Sequence, residues 1–200
     1  MDTRQRIVTA MIEQLRRQGY AATGVKQLAQ AAAAPTGSIY HHFRGGKREV
    51  ADRALSQSAD AYLELLLHVL GQYDDPVVGV EGAFREAAEV VEQSGWMNMC
   101  PVGTVLGEVA DVEPELRETG DRIFRAWVDA GTAYYEHHGL PRADAREFTY
   151  ALVAALEGAF ILARTQRSAE PVLAAGRTLA LALRGLLVSP RGSRAAGSAR

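Results

Sequence analysis

Apolar residues recur every three or four positions along this chain of 200 residues, and no stretch alternates with period two over the length of a strand. A backbone so patterned satisfies its polar groups within helices, and the fold class it dictates is all-α. Glycine and proline cut the pattern into segments. The first helix is expected from about Thr3 to Gln18, with Ile7, Met11 and Leu15 on one stripe and Gly19 as its stop. A short second helix covers about Val25 to Ala32. Pro35 opens a short third, to about His42, and a long fourth runs from after "RGG" to about Leu70. Further helices are expected over 79–94, 103–110, 114–138, 144–166 and 170–188. Asp144 followed by Glu147 reads as a capping box for the fourth of these. No internal repeat is present.

The stretch "APTGSIYHHFRGGK", residues 34–47, crowds rings and positive charge between two helices. A phosphate-cradling loop needs G-x-x-x-x-G-K followed by Ser or Thr, whereas Gly37 stands nine residues before Gly46 and Arg48 follows Lys47. A zinc site needs three or four converging ligands. Adjacent His41 and His42 point to different faces of a helix, and the single cysteine, Cys100, is far away; no metal or other cofactor is expected. Two short helices joined by a tight turn have helix-turn-helix proportions instead. The second exposes Thr36, Ser38, Tyr40 and His41, while Ile39 and Phe43 anchor it and Gly37 lets backbone approach closely. Hydroxyls, a phenol and an imidazole suit phosphates and base edges, and Lys47 adds a phosphate-seeking ammonium at the next helix start. The alternative is that Tyr40 and His41 merely pack a small bundle.

Charge favours the DNA reading. Residues 1–53 hold nine Lys and Arg, Lys26 among them, against four Asp and Glu, a net charge of +5; the remainder carries −7. A basic head on an acidic body points to an anionic partner for the head alone, namely double-stranded DNA. The first twenty residues are charged and amphipathic, unlike a signal peptide. The longest apolar run, "ALVAALEGAFILA", is broken by Glu157 and short for a bilayer. One cysteine suits a reducing compartment. A cytoplasmic protein without a membrane partner is expected.

"TGVKQLAQAAAAPTGSIYHHFRGGKREVADRAL" resembles the DNA-binding domain of the TetR family of transcriptional repressors, the likeness covering about residues 3–55. "PTGSIYHHFRGGK" with "MCPVGTVLGEVADVEPELRE" is similar to the LmrA/YxaF-like branch. The resemblance implies an N-terminal three-helix domain, residues 1–50, carrying the helix-turn-helix. It implies a C-terminal helical domain, 51–189, for ligand binding and dimerisation; the ending "SPRGSRAAGSAR" then leaves 190–200 as a disordered tail. It also implies a homodimeric repressor released from a palindromic operator by an effector. This sequence departs from the family's pattern at Ala33, where glycine is usual and where alanine prefers a right-handed turn. It departs again at Gly24, where a serine or threonine cap is common.

In the acidic body, Trp96, Met97, Met99 and Cys100 cluster before a short helix, and Phe84, Phe124, Trp127, Tyr134 and Phe160 lie on helices that can face them. Such side chains either fill a core or line an adaptable apolar cavity; the resemblance favours a cavity for a small apolar or aromatic effector. Glu157 is a polar contact there or a group at a dimer interface. Two other functions compete: an enzyme using Cys100 as nucleophile, which lacks a placed histidine, and a ligand-independent DNA-binding protein. The last two helices are apolar on more than one stripe. Phe148, Leu152 and Leu156 on one, with Leu179, Leu183 and Leu186 on the other, are expected at a homodimer interface.

Overall fold

The computed structural model describes residues 1–97 and 100–188. Among them are nine α-helices and no strand: α1 (Thr3–Gln18), α2 (Val25–Ala31), α3 (Thr36–His42), α4 (Gly46–Leu70), α5 (Pro76–Gln93), α6 (Pro101–Val109), α7 (Pro114–His137), α8 (Arg142–Gln166) and α9 (Glu170–Val188). Their contacts divide the chain into two compact units. One joins Met1–Leu63 to Met97–Phe124; the other joins Glu64–Trp96 to the chain from Arg125 onward. Met99 and the tail 190–200 lie outside the described residues.

Most helix ends fall where side chains can stop or start them. Asp2 caps α1 by accepting from the Gln5 amide at 2.7 Å, and Gly19, at φ 80°, ends it. Among the starts that differ from expectation, three show why. Pro35 is the residue before α3, with extended ψ, rather than its first helical residue. Asp75, expected as part of the end of α4, instead caps α5 by accepting from Val77, so α5 starts at Pro76 and not near 79. No capping box opens α8: Pro141 precedes it, and Asp144 sits buried inside the first turn.

In the second unit α9 packs along α5 and α8. The approach is close because Gly176 has no side chain; a Cβ there would stand 2.5 Å from the Cβ of Phe84. Around this contact Phe84, Phe148, Leu152, Phe160, Val172, Leu179 and Leu183 form an apolar core. Thr132 and Thr149 return their buried hydroxyls to carbonyls one turn back in their own helices. Tyr135 has no such outlet. Its hydroxyl is buried without a hydrogen-bond partner, and its ring meets Phe148 edge-on with centroids 4.8 Å apart. Burial pushes its phenol far above the ordinary range. By length and composition α8 and α9 are both apolar enough to cross a bilayer, yet one stripe of each is buried in this core.

Candidate nucleic-acid interface

The first unit contains the basic head. Ile7, Met11 and Leu15 of α1 pack with Leu28 and Ala29 of α2 and Ile39 of α3, all but Ala29 fully buried. Phe43, also fully buried, closes α3 from its C-terminal end and lies under the Arg4 guanidinium at 5.4 Å. Between α2 and α3 the chain reverses in four residues. Arg6 reaches from α1 to donate to the Ala32 carbonyl at 3.2 Å, and the Ala33 and Ala34 amides turn back onto Gln30 and Ala29. Ala33 therefore departs from expectation. It adopts φ 47°, in the left-handed region glycine occupies at low cost, because the reversal demands it.

The turn presents α3 outward. Thr36, Gly37, Tyr40 and His41 are exposed, Ser38 is half-buried, and Lys26 stands exposed on α2. A Cβ on Gly37 would meet nothing within 4 Å. Tyr40 is braced: a side chain on Gly46 would come within 3.1 Å of its ring, and Gly46 itself has φ 61°. Glu49 accepts from the Gly45 amide at 2.8 Å and so fixes the entry to α4. Lys47 does not stand free. Its ammonium lies 4.0 Å over the Tyr20 ring, and burial lowers its pKa against the opposing pull of Glu108 and Glu113.

Three of the residues that shape this unit went unread in the sequence. Thr23, fully buried, ties the α1–α2 corner by donating to the Gly19 carbonyl at 2.7 Å. Glu108 of α6 accepts from the amides of Tyr20 and Ala21, and Glu113 accepts from the Tyr20 hydroxyl. The pair Gly19-Tyr20 followed by Thr23 was a readable corner signal. Nothing local announces a carboxylate some 87 positions away.

A short exposed helix held by its apolar side behind a tight turn, on a basic head, is the geometry of a helix-turn-helix reader. Residues 7–54 match the family described as "Bacterial regulatory proteins, tetR family", and residues 76–178 match "Transcriptional regulator LmrA/YxaF-like, C-terminal domain". The chain belongs to the TetR family. Its LmrA/YxaF-like branch is shown by the second match, which covers more than half the chain. The chain is 26% identical over 172 residues to the HTH-type transcriptional regulator LmrA of Bacillus subtilis, spanning 86% of this chain and 92% of that one. It is 26% identical to the HTH-type transcriptional regulator Rv0196 of Mycobacterium tuberculosis, over 84% of this chain and 88% of its length. A TetR transcriptional regulator from Chloroflexus aurantiacus superposes with a TM-score of 0.73 at 25% identity, covering 91% of this chain and 94% of that one. The regulatory protein TetR from Rhodobacter sphaeroides has the same fold, with TM-score 0.78 at 24% identity over 88% and 96%. TetR-family proteins are transcriptional regulators rather than enzymes.

The residues expected around an effector are distributed over both units of this TetR-family regulator. Met97, Cys100 and Phe124 belong to the first; Phe84, Trp96, Trp127, Tyr134, Glu157 and Phe160 belong to the second. Phe84, Phe160 and Cys100 are buried, and Met97, Trp96, Phe124, Trp127, Tyr134 and Glu157 are half-buried. Trp96 follows Gly95 into the left-handed region at φ 69°, an uncommon conformation for so large a side chain. Tyr134 donates its hydroxyl to the Leu70 carbonyl at 3.3 Å.

The residues expected at a dimer interface divide by burial within the single chain. Phe148, Leu152, Leu179 and Leu183 are buried within the subunit, and Leu156 and Leu186 are half-buried. The apolar side chains left outside are Tyr150, Ile161 and Leu162 on α8 and Leu181 and Val188 on α9. A helix carrying two apolar stripes buries one of them first, and spacing alone does not say which.

Proposed function

We propose that this chain is a repressor that binds a roughly palindromic operator as a homodimer and leaves it when a small apolar or aromatic effector occupies the C-terminal part. The observation that carries the reading is α3: seven residues anchored by Ile39 and Phe43, with hydroxyls, a phenol and an imidazole turned outward. Thr36 and Ser38 take the base edges. Tyr40, Lys26, the Gly37 backbone and Lys47 take phosphates, and His41 lies beside them. Two heads address half-sites about a helical turn or more apart. The partner covers the exposed apolar stripe of α8 and α9, where Leu181 is 66% and Ile161 is 59% exposed. Glycines at 158 and 185 on those helices permit close approach. Such a regulator works in the cytoplasm. An effector need only bind one head spacing more tightly than the other to release DNA.

Selection of duplexes from random-sequence DNA tests the reading. A palindromic consensus is expected, with Thr36 and Ser38 variants changing the preferred bases. Lys47→Ala weakens binding to all sequences and makes the dependence of log affinity on log salt shallower by about one. Unchanged affinity and salt dependence in Lys47→Ala would remove the docking. Leu181→Arg yields folded monomers; a wild-type protein that is monomeric at micromolar concentration would exclude the scheme.

A further inference from the structure

The corner between α1 and α2 is held by groups from outside the helix-turn-helix. Both oxygens of the Glu108 carboxylate are used, Oε2 accepting from the Tyr20 amide at 2.8 Å and Oε1 from the Ala21 amide at 2.7 Å. The approach requires glycine at 19. Its φ of 80° is left-handed, and a Cβ there would lie 2.6 Å from Glu108 Oε2. Glu113, in the turn after α6, accepts from the Tyr20 hydroxyl at 3.2 Å. Backbone and side chain of Tyr20 are therefore both fixed by this segment, and the ring so fixed is the surface on which the Lys47 ammonium rests. Arg48, the next residue, pairs with Glu115 at the start of α7.

We infer that Glu108 and Glu113 are positioning residues for DNA binding: by immobilising Tyr20 they set where Lys47 meets the DNA backbone. The inference rests on the reading of Lys47 as a phosphate contact. Its sign is not the one charge alone gives. Two carboxylates near a phosphate-binding cation repel DNA, so as bare charges their removal would tighten binding. As supports, their removal lets the Tyr20 ring and Lys47 move, and an ammonium on a four-carbon stem loses the ordering that aimed it. A cation placed in advance keeps more of its contact energy than one that must be ordered on binding.

The test uses full-length protein and a fluorescein-labelled duplex selected by the wild type from random-sequence DNA, titrated at several salt concentrations. Glu108→Gln keeps the size of an exposed side chain but turns an NH₂ group toward one of the two amides. Tyr20→Phe keeps the ring and removes the tie to Glu113. Each is measured alone and combined with Lys47→Ala. The expected result is a several-fold loss of affinity for each single variant, with a salt slope shifted toward that of Lys47→Ala. In the Lys47→Ala background neither should add a further loss, because their effect runs through that ammonium. Three results overturn the inference: tighter binding by Glu108→Gln, no change in either variant, or the same loss with and without Lys47. A Lys47→Ala protein that binds like the wild type instead removes the phosphate contact itself, and the inference with it.

Discussion

The α1–α2 corner and the α5–α9 contact are both tight approaches that require glycine, and they are held by opposite means. At the corner, Gly19 admits a carboxylate that takes two backbone amides. At the helix contact, Gly176 admits the side chain of Phe84 in an apolar core. Apolar contact has no preferred direction, and its strength follows the apolar area it removes from water. Hydrogen bonds from amides to a carboxylate exposed on its own helix add modest stability but fix an orientation. The core therefore holds the body together, whereas the corner sets the aim of the head. Changes in the two places should differ in kind, large in stability in one and small in the other.

The largest effect is expected at Leu183. Its side chain is fully buried, so Leu183→Ala should cost about 2–5 kcal/mol, read as a lower urea midpoint with an unchanged slope. Leu181→Ala, two residues earlier, should change the stability of a monomer by less than about 0.5 kcal/mol. Equal losses in a protein kept monomeric would show that the buried stripe has been misassigned. Next comes Gly176→Ala. In an open helix this change gains about 0.5–1 kcal/mol, but here the new methyl meets Phe84 and should cost about 1–3 kcal/mol. A stabilised Gly176→Ala protein would mean that α9 moves away from α5 easily and that the contact is looser than drawn.

Most of the architecture was legible in the sequence because it rests on local rules. Gly19, Pro35, the "YDDP" break and Gly139 stop or start helices by their own backbone chemistry, and 3.6-residue spacing marked the inward faces of α1 to α3. The position of α3 was legible for the same reason, since Ile39 and Phe43 lie four apart. What could not be read depends on tertiary partners. Which of two apolar stripes on α8 and α9 turns inward is decided by α5. The left-handed turn at Ala33 is imposed by the helices on either side, against alanine's own preference. The placement of Glu108 against the Tyr20 amide depends on the fold bringing together residues 88 positions apart.

Strain at that turn gives a smaller effect of the opposite sign. Ala33 holds φ 47° without a side-chain reason, and glycine there would relieve it. Ala33→Gly should stabilise the protein by roughly 0.5–1 kcal/mol, visible as a higher urea midpoint. Operator affinity should stay within about twofold, because α3 keeps its anchors. A loss of stability would mean that the turn tolerates alanine without strain and that glycine only adds freedom to the unfolded chain.

The smallest effect concerns alkaline pH, where two groups in contact pull in opposite directions. Burial first, and then Glu113 as charge and as hydrogen-bond partner, push the Tyr20 phenol up to about 12, with Arg48 opposing. A phenol with a raised pKa keeps its proton longer in the folded chain than in the unfolded one. Its contribution is complete below about pH 10 and declines as the pH rises toward about 12. Lys47, on the face of the same ring, has its pKa lowered, chiefly by burial, although Glu108 and Glu113 favour its charge. The folded chain releases that proton before the unfolded one does, so the penalty of holding a half-buried ammonium lifts as the pH passes through the lysine range. The rise ends near the ordinary lysine value of 10.5, so the two slopes meet only around pH 10 and the decline stands alone above it. Tyr20→Phe removes the declining part and should make urea midpoints fall less steeply between about pH 10 and about pH 12. Lys47→Met removes the rising part and should make midpoints gain less with pH below about pH 10.5. Tyr135 declines in the same sense in every variant and cancels from the differences. If both substitutions shifted the slope the same way, Tyr20 and Lys47 would not share the stacked, half-buried corner described for them.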